Sequence, residues 1–180
     1  MNVHLDLELA PEILFLFGLS GAGKSYVGNL VGELPGWHVY HADDDLTDEM
    51  ILALKEQRPF TERMRDDYFP VVVERILALR NEYGRIVVTQ GVYKQRHRDY
   101  LLQNIPGMEM LCVDAPNQFI LQRLGRRADG ITNASAEALR KDFELPDKNT
   151  RVITNQDGTA EIIRQLNHFY SSSSNTEKND

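Results

Sequence analysis

The sequence predicts an α/β domain built on a parallel sheet with helices over both faces. Three observations predict it. Ile13-Leu14-Phe15-Leu16-Phe17 is apolar throughout and ends at Gly18, the pattern of a strand buried on both faces rather than one. Further short strand-like runs, Trp37 to His41, Ile86 to Thr89, Met108 to Val113 and Arg151 to Thr154, alternate with helix-like segments. That alternation is the signature of consecutive βαβ units. The length of 180 residues and a hydrophobic share of 42% suit one domain with a substantial core.

The elements follow in order. Residues Met1 to Glu12 read as a short lead-in to the first strand. A helix is expected from Lys24 to about Leu34, where Pro35-Gly36 stops it. Asp44 to Glu56 is helix-like and is punctuated by Arg58-Pro59. Thr61 is suited to cap a longer helix, with Pro70 expected to interrupt it before Val71 to Glu82. Arg96 to Gln103, Asn117 to Arg127 and Ala160 to Tyr170 complete the helical set. Ala128 to Glu137 is polar and breaks the fourth βα unit; it is expected to be a loop or small lid, spanning about 125–138. A single domain over 1–170 is thus followed by a polar, disordered tail over 171–180.

The charge balance excludes some partners. Net charge is −7, the opposite of the electrostatic footprint of a nucleic-acid binder. The longest strongly apolar run, Ile13 to Phe17, is too short to span a bilayer. The single cysteine, Cys112, has no internal disulfide partner, and the acidic residues Asp6, Glu8 and Glu12 do not resemble a basic leader. A cytoplasmic protein is expected.

The chemistry concentrates after the first strand. Gly18-Leu19-Ser20-Gly21-Ala22-Gly23-Lys24-Ser25 matches the Walker A pattern G-x-x-x-x-G-K-[ST], placed between a buried strand and a helix. Glycines allow close backbone approach, successive N–H groups converge on phosphate oxygens, and the helix start adds the positive end of its dipole. A lysine in the position of Lys24 bridges the outer phosphates, and a hydroxyl in that of Ser25 ligates magnesium. The nucleotide-binding candidates are therefore Gly18, Ser20, Gly21, Ala22, Gly23, Lys24, Ser25 and Tyr26, with ATP and Mg2+ as the expected ligands.

His41-Ala42-Asp43-Asp44-Asp45 follows the second strand. At the carboxyl end of a parallel sheet these acids face the ligand crevice. A carboxylate there can accept a proton from an attacking hydroxyl or support magnesium through water. Three adjacent aspartates cannot all face one site, so one or two are functional candidates and the rest belong to the helix start. The third strand, Val87-Val88-Thr89-Gln90-Gly91, ends without an acid, which shifts the metal-supporting role toward Asp43 or Asp44. Cations that could read an anionic acceptor are Arg63 and Arg65, then Lys94, Arg96 and Arg98, then Arg123, Arg126 and Arg127. Arg123 and Arg127 stand four apart, on one helix face beside the expected lid.

Taken together, these segments resemble the gluconate kinase family, within the wider group of shikimate and nucleoside monophosphate kinases. The resemblance runs from about Leu14 to Leu166. It rests on Phe17 to Ser25; on Pro59-Phe60 with Arg65 and Tyr68-Phe69; on Lys94 with Arg98-Asp99-Tyr100-Leu101-Leu102; on Arg123-Leu124 with Arg127; and on Asp142-Phe143-Glu144-Leu145-Pro146. It implies a P-loop fold with a five-stranded parallel sheet and a lid. It also implies ATP-dependent phosphorylation of a sugar-acid hydroxyl. Asp44 matches the aspartate near the accepting hydroxyl, Arg65 and Lys94 the substrate-side cations, and Arg123 and Arg127 the lid residues near the phosphates. The catalytic candidates are thus Lys24, Asp44, Arg123 and Arg127. The substrate-side candidates are Asp43, Asp44, Arg65, Gly91 and Lys94, and the metal candidates are Ser25 and Asp43. Homodimerisation is implied by the resemblance alone.

The chain departs from the family pattern on the acceptor side. Ala42 stands where an aspartate is usual, Thr47-Asp48 where a histidine-proline pair is, and one extra residue precedes Arg98. Two other readings therefore stay open: a shikimate-type or nucleotide kinase, and an ATP-binding regulatory module without transfer activity.

Overall fold

A computed structural model describes residues 4–126 and 133–172. Its centre is a five-stranded, all-parallel sheet in the order β2-β3-β1-β4-β5. The strands are β1 (Ile13–Phe17), β2 (His38–His41), β3 (Ile86–Thr89), β4 (Met108–Asp114) and β5 (Val152–Thr154). The described helices are α1 (Lys24–Glu33), α2 (Asp48–Lys55), α3 (Glu62–Tyr83), α4 (Gln95–Asn104), α5 (Asn117–Gly125), α6 (Asn133–Asp142) and α7 (Thr159–Tyr170).

Alternation along β1 explains the three layers. Ile13, Phe15 and Phe17 point to one face and join residues of α2, α3 and α4. Leu14 and Leu16 point to the other and join α1 and α7. All five residues of β1 are buried, because the strand lies at the centre of the sheet and both its faces are covered. The chain after β1 enters α1 on one face, and the chain after neighbouring β3 leads to α4 on the other. The crevice between the carboxyl ends of β1 and β3 is thus a topological switch point, where ligands of open parallel sheets bind.

Four expectations need correction. Pro70 does not interrupt the long helix: α3 runs unbroken from Glu62 to Tyr83. Proline removes one backbone bond, but Tyr68, Phe69, Val72 and Val73 around it are all buried, and that packing outweighs the loss. The helix expected from Asp44 divides into a 3₁₀ turn, Ala42–Asp45, and α2, which Thr47 caps by accepting the Met50 N–H. Residues 4–12 are more than a lead-in: Leu5, Leu7 and Ala10 are core residues beside α7. The segment expected to be loop is helical from Asn133 onward as α6. Residues 127–132, including Arg127, lie outside the described residues, as does 173–180 of the expected tail. Ser171 is buried and its hydroxyl donates to Asp6 at 2.8 Å, so order extends past the expected domain end.

Candidate nucleotide and acceptor site

The loop between β1 and α1 wraps the switch point. Gly18 (φ 149°) passes so close to β4 that a Cβ would collide with the Val113 carbonyl. Gly23 is left-handed (φ 101°), and a Cβ there would strike the Asn155 side chain. Gly18 is therefore required by the approach of the β4 backbone, and Gly23 by the Asn155 side chain and its own left-handed backbone. Gly23 is also the residue that starts α1, so the loop ends with the helix N–H groups turned toward the crevice.

Ser20, Gly21, Gly23, Lys24, Ser25, Asp43, Thr89, Gln90 and Arg123 line one cleft. The Lys24 ammonium is folded back on its own loop, donating to the carbonyls of Gly18 (3.0 Å) and Leu19 (2.9 Å). The loop is also braced by side chains. Arg123 donates to the carbonyls of Gly21 and Ala22, each at 3.1 Å, and to that of Asn155 at 3.3 Å. Asn155, buried just past β5, donates to Ala22 O at 2.9 Å. Tyr26 points away from the cleft: its side chain is exposed and hydrogen-bonds Thr159 at the start of α7.

The three aspartates separate. Asp43 lies on the cleft wall, where Gln90 Nε2 donates to its Oδ1 at 3.0 Å. Asp44 is exposed beside it and does not line the cleft. Asp45 faces away, accepting from Tyr40 at 2.8 Å and from Arg75 at 2.9 Å. The Arg75 hydrogen bond, opposed by partial burial and aided by Tyr40, holds the Asp45 carboxyl below its ordinary value. None of the three caps α2, since Thr47 does that. Gln90 stands where the third strand lacks an acid. It also donates to the Tyr68 hydroxyl at 2.6 Å and accepts the Gly91 N–H at 2.6 Å, which fixes its amide toward Asp43.

The cations divide as well. Arg98 is buried and donates to the carbonyls of Val92 (2.8 Å) and Glu144 (2.9 Å), while its guanidinium lies over Phe17. Burial pulls its pKa down from the ordinary arginine value, and its position is that of an internal brace. Arg96 binds Glu62 and Asp66, and Arg63 binds Glu49 and Asp67, all on the surface. Arg126 lies at the end of α5 and does not line the cleft. Arg65 and Lys94 converge on Asp142, at 3.2 and 2.7 Å. Tyr93, which sequence reasoning did not select, ties the two sides together: its hydroxyl accepts the Ser20 N–H at 3.2 Å, and its carbonyl accepts the Glu144 N–H at 2.9 Å.

The donor set fits magnesium. The Ser25 hydroxyl and the Asp43 carboxylate are hard oxygen donors on one cleft, and magnesium takes few protein ligands beside phosphate and water. Accordingly, among the described residues no group of three or more His, Cys, Asp or Glu could hold a metal alone. Among those residues, too, no helix is long and apolar enough to cross a membrane.

Comparison with known proteins agrees with the geometry. No family model matches the chain. It is 29% identical over 128 residues to the thermosensitive gluconokinase of Escherichia coli (strain K12), covering 67% of this chain and 64% of that protein. It is 29% identical over 94 residues to a probable gluconokinase of Mus musculus, covering 52% and 51%. The chain thus spans between about half and just under two thirds of these curated relatives. Among solved structures, a gluconokinase from Sinorhizobium meliloti 1021 superposes with a TM-score of 0.72 at 22% identity, over 89% of this chain and 90% of that one. The chain has the three-layer fold of the P-loop kinases, and its sequence is gluconokinase-like.

Proposed function

We propose that the protein is an ATP-dependent kinase that transfers the γ-phosphoryl group to a hydroxyl of a small anionic acceptor, a sugar acid such as D-gluconate. One observation carries this reading: Lys24, Ser25, Asp43 and Arg123 share a single cleft at the switch point, on a loop whose backbone is braced for phosphate.

In this mechanism the loop N–H groups hold the β- and γ-phosphates, and Lys24 leaves its carbonyl partners to neutralise charge on the transferring group. Ser25 and Asp43 would hold magnesium, which supplies further neutralisation when bound. Asp44 orients the acceptor hydroxyl and takes its proton. The hydroxyl oxygen forms a bond to the γ-phosphorus as the bond to the bridging oxygen breaks, releasing ADP. Arg65 and Lys94 receive the acceptor's acid group. Arg123 steadies the loop and faces the phosphates, with Arg127 as its lid partner. Cys112, whose thiol burial pushes up to about 12, stays a thiol and suits a cytoplasmic protein.

The test is acceptor-dependent ADP release with ATP and magnesium, across gluconate, other sugar acids, shikimate and nucleoside monophosphates. A clear rate with gluconate is expected. A rate with shikimate or a nucleotide instead moves the acceptor assignment and keeps the kinase. ATP binding with no rate on any acceptor overturns the kinase reading in favour of a regulatory module.

A further inference from the structure

Arg65 and Lys94 come from different elements and meet at one point. Arg65 lies three residues before Tyr68 on α3, on the same helical face, and Tyr68 bonds the Gln90 amide that holds Asp43. Lys94 follows Tyr93, whose hydroxyl accepts the Ser20 N–H of the phosphate loop. Each cation is thus a helical turn or less in sequence from a tyrosine bonded to the cleft lining, and neither lines the cleft itself. Their side chains are only 18% and 21% exposed, so each is partly desolvated and an anion between them is strongly held.

The anion between them belongs to the chain itself. Asp142 Oδ2 meets Arg65 Nη1 at 3.2 Å and Asp142 Oδ1 meets Lys94 Nζ at 2.7 Å. Lys94 also donates to the Asp142 carbonyl at 3.0 Å. Each carboxylate oxygen takes one cation, the arrangement by which such a pair would grip a ligand carboxylate. Glu62 also holds Arg65, at 2.8 Å, and is shared with Arg96, while Glu144 is 3.8 Å from Lys94; of these three acids Asp142 is the one that bridges both cations.

We propose that Asp142 is a specificity-determining residue: its carboxylate occupies the anion position between Arg65 and Lys94 and competes with the acid group of an acceptor. This rests on the reading of Arg65 and Lys94 as the acceptor-side cations. The competition lowers affinity for acid-bearing acceptors while leaving neutral polyols unaffected, because only the former need both cations free. It gives the chain a weaker bias toward sugar acids than the same cation pair would confer unopposed.

The experiment is calorimetric titration of D-gluconate, and of the neutral polyol D-glucitol, into wild type and Asp142→Asn, each saturated with a non-hydrolysable ATP analogue. Asp142→Asn is expected to tighten gluconate binding about tenfold, the change for freeing one charge-assisted contact of about 1.4 kcal/mol. D-glucitol binding is expected to stay as it was. Adding Lys94→Ala to Asp142→Asn should abolish the gain. Asp142→Ser removes the same charge and serves as the second variant, with melting curves confirming that both fold. Unchanged or weaker gluconate binding in both variants, or an equal gain for D-glucitol, overturns the proposal. If gluconate binding tightens as expected but neither wild type nor variant releases ADP with gluconate, the kinase reading fails and the assignment of Asp142 stands.

Discussion

The two walls of the cleft are built by different means. The phosphate-side wall is eight consecutive residues whose backbone is held in place by buried or half-buried groups around it: Arg123 and Asn155 on its carbonyls, and β4 against Gly18. The acceptor-side wall draws on the turn after β2 and the end of β3, where Gln90 hydrogen-bonds Asp43, backed by the start of α3, the turn after β3 and the end of α6, which ion pairs join outside the cleft lining. Backbone held by short, buried hydrogen bonds tolerates little change. Partly exposed ion pairs contribute less stability each and can exchange partners. The first wall is suited to a ligand common to many enzymes, and the second to a ligand that differs among them.

This contrast can be broken or sharpened by substitution, beginning with the largest effect. Lys24→Ala is expected to cut acceptor-dependent ADP release by at least ~10²–10³-fold while leaving the melting temperature nearly unchanged, since its ammonium lies at the cleft. Near-normal turnover would remove the phosphate-side wall from the chemistry altogether. Asp44→Asn is expected to lower kcat by roughly 10²-fold with little change in ATP affinity. If Asp43→Asn produces that kinetic signature instead, the proton-accepting role belongs to the cleft-wall residue held by Gln90.

Smaller effects separate the two kinds of support. Gly23→Ala places a Cβ against Asn155 in a left-handed backbone and should cost about 1–3 kcal/mol of stability together with ATP affinity. Asn155→Ala should relieve part of that cost, so a double-mutant cycle is expected to be non-additive. Strict additivity would refute the close approach. Asp45→Asn, behind the acceptor wall, should cost up to about 1 kcal/mol at neutral pH. Because the Asp45 carboxyl is held below its ordinary 3.8, its contribution is present above that value and lost as pH falls through the lowered one. The difference between the Asp45→Asn and wild-type urea midpoints should therefore close on acidification below about pH 4.

The same contrast governs what the sequence discloses. β1 and the phosphate loop are legible because their determinants are adjacent: one apolar run and one spaced set of glycines. The sheet follows from alternation, and the bounds of β3 and α1 lie within a residue of expectation. The braces of the loop are not legible, because Asn155 and Tyr93 reach it from 133 and 73 residues away. A polar residue directly after a short apolar strand is a signal that could have selected Asn155, just past β5. Arg98 looked like a ligand-reading cation from its neighbours. Its spacing of three from Leu101, which is also buried, could have marked it as facing inward. Asp142 gave no local sign, since its partners sit on α3 and after β3, and only the fold brings the three together.

The segment before β1 has a consequence of a different kind. Asn167 of α7 donates to the His4 carbonyl at 2.7 Å, the Asp6 N–H donates back to Asn167 at 2.8 Å, and Ser171 and Ser172 both bond Asp6. The first and last described stretches are therefore neighbours, on the amino-terminal side of the sheet and away from the cleft. A short linker joining them would let the chain be cut open elsewhere, for example at the exposed turn around Gly107, where an added Cβ would meet nothing within 4 Å. Such a rearranged chain would keep both walls of the cleft while placing Arg123, Asp142 and Asn155 ahead of the phosphate loop in the order of synthesis.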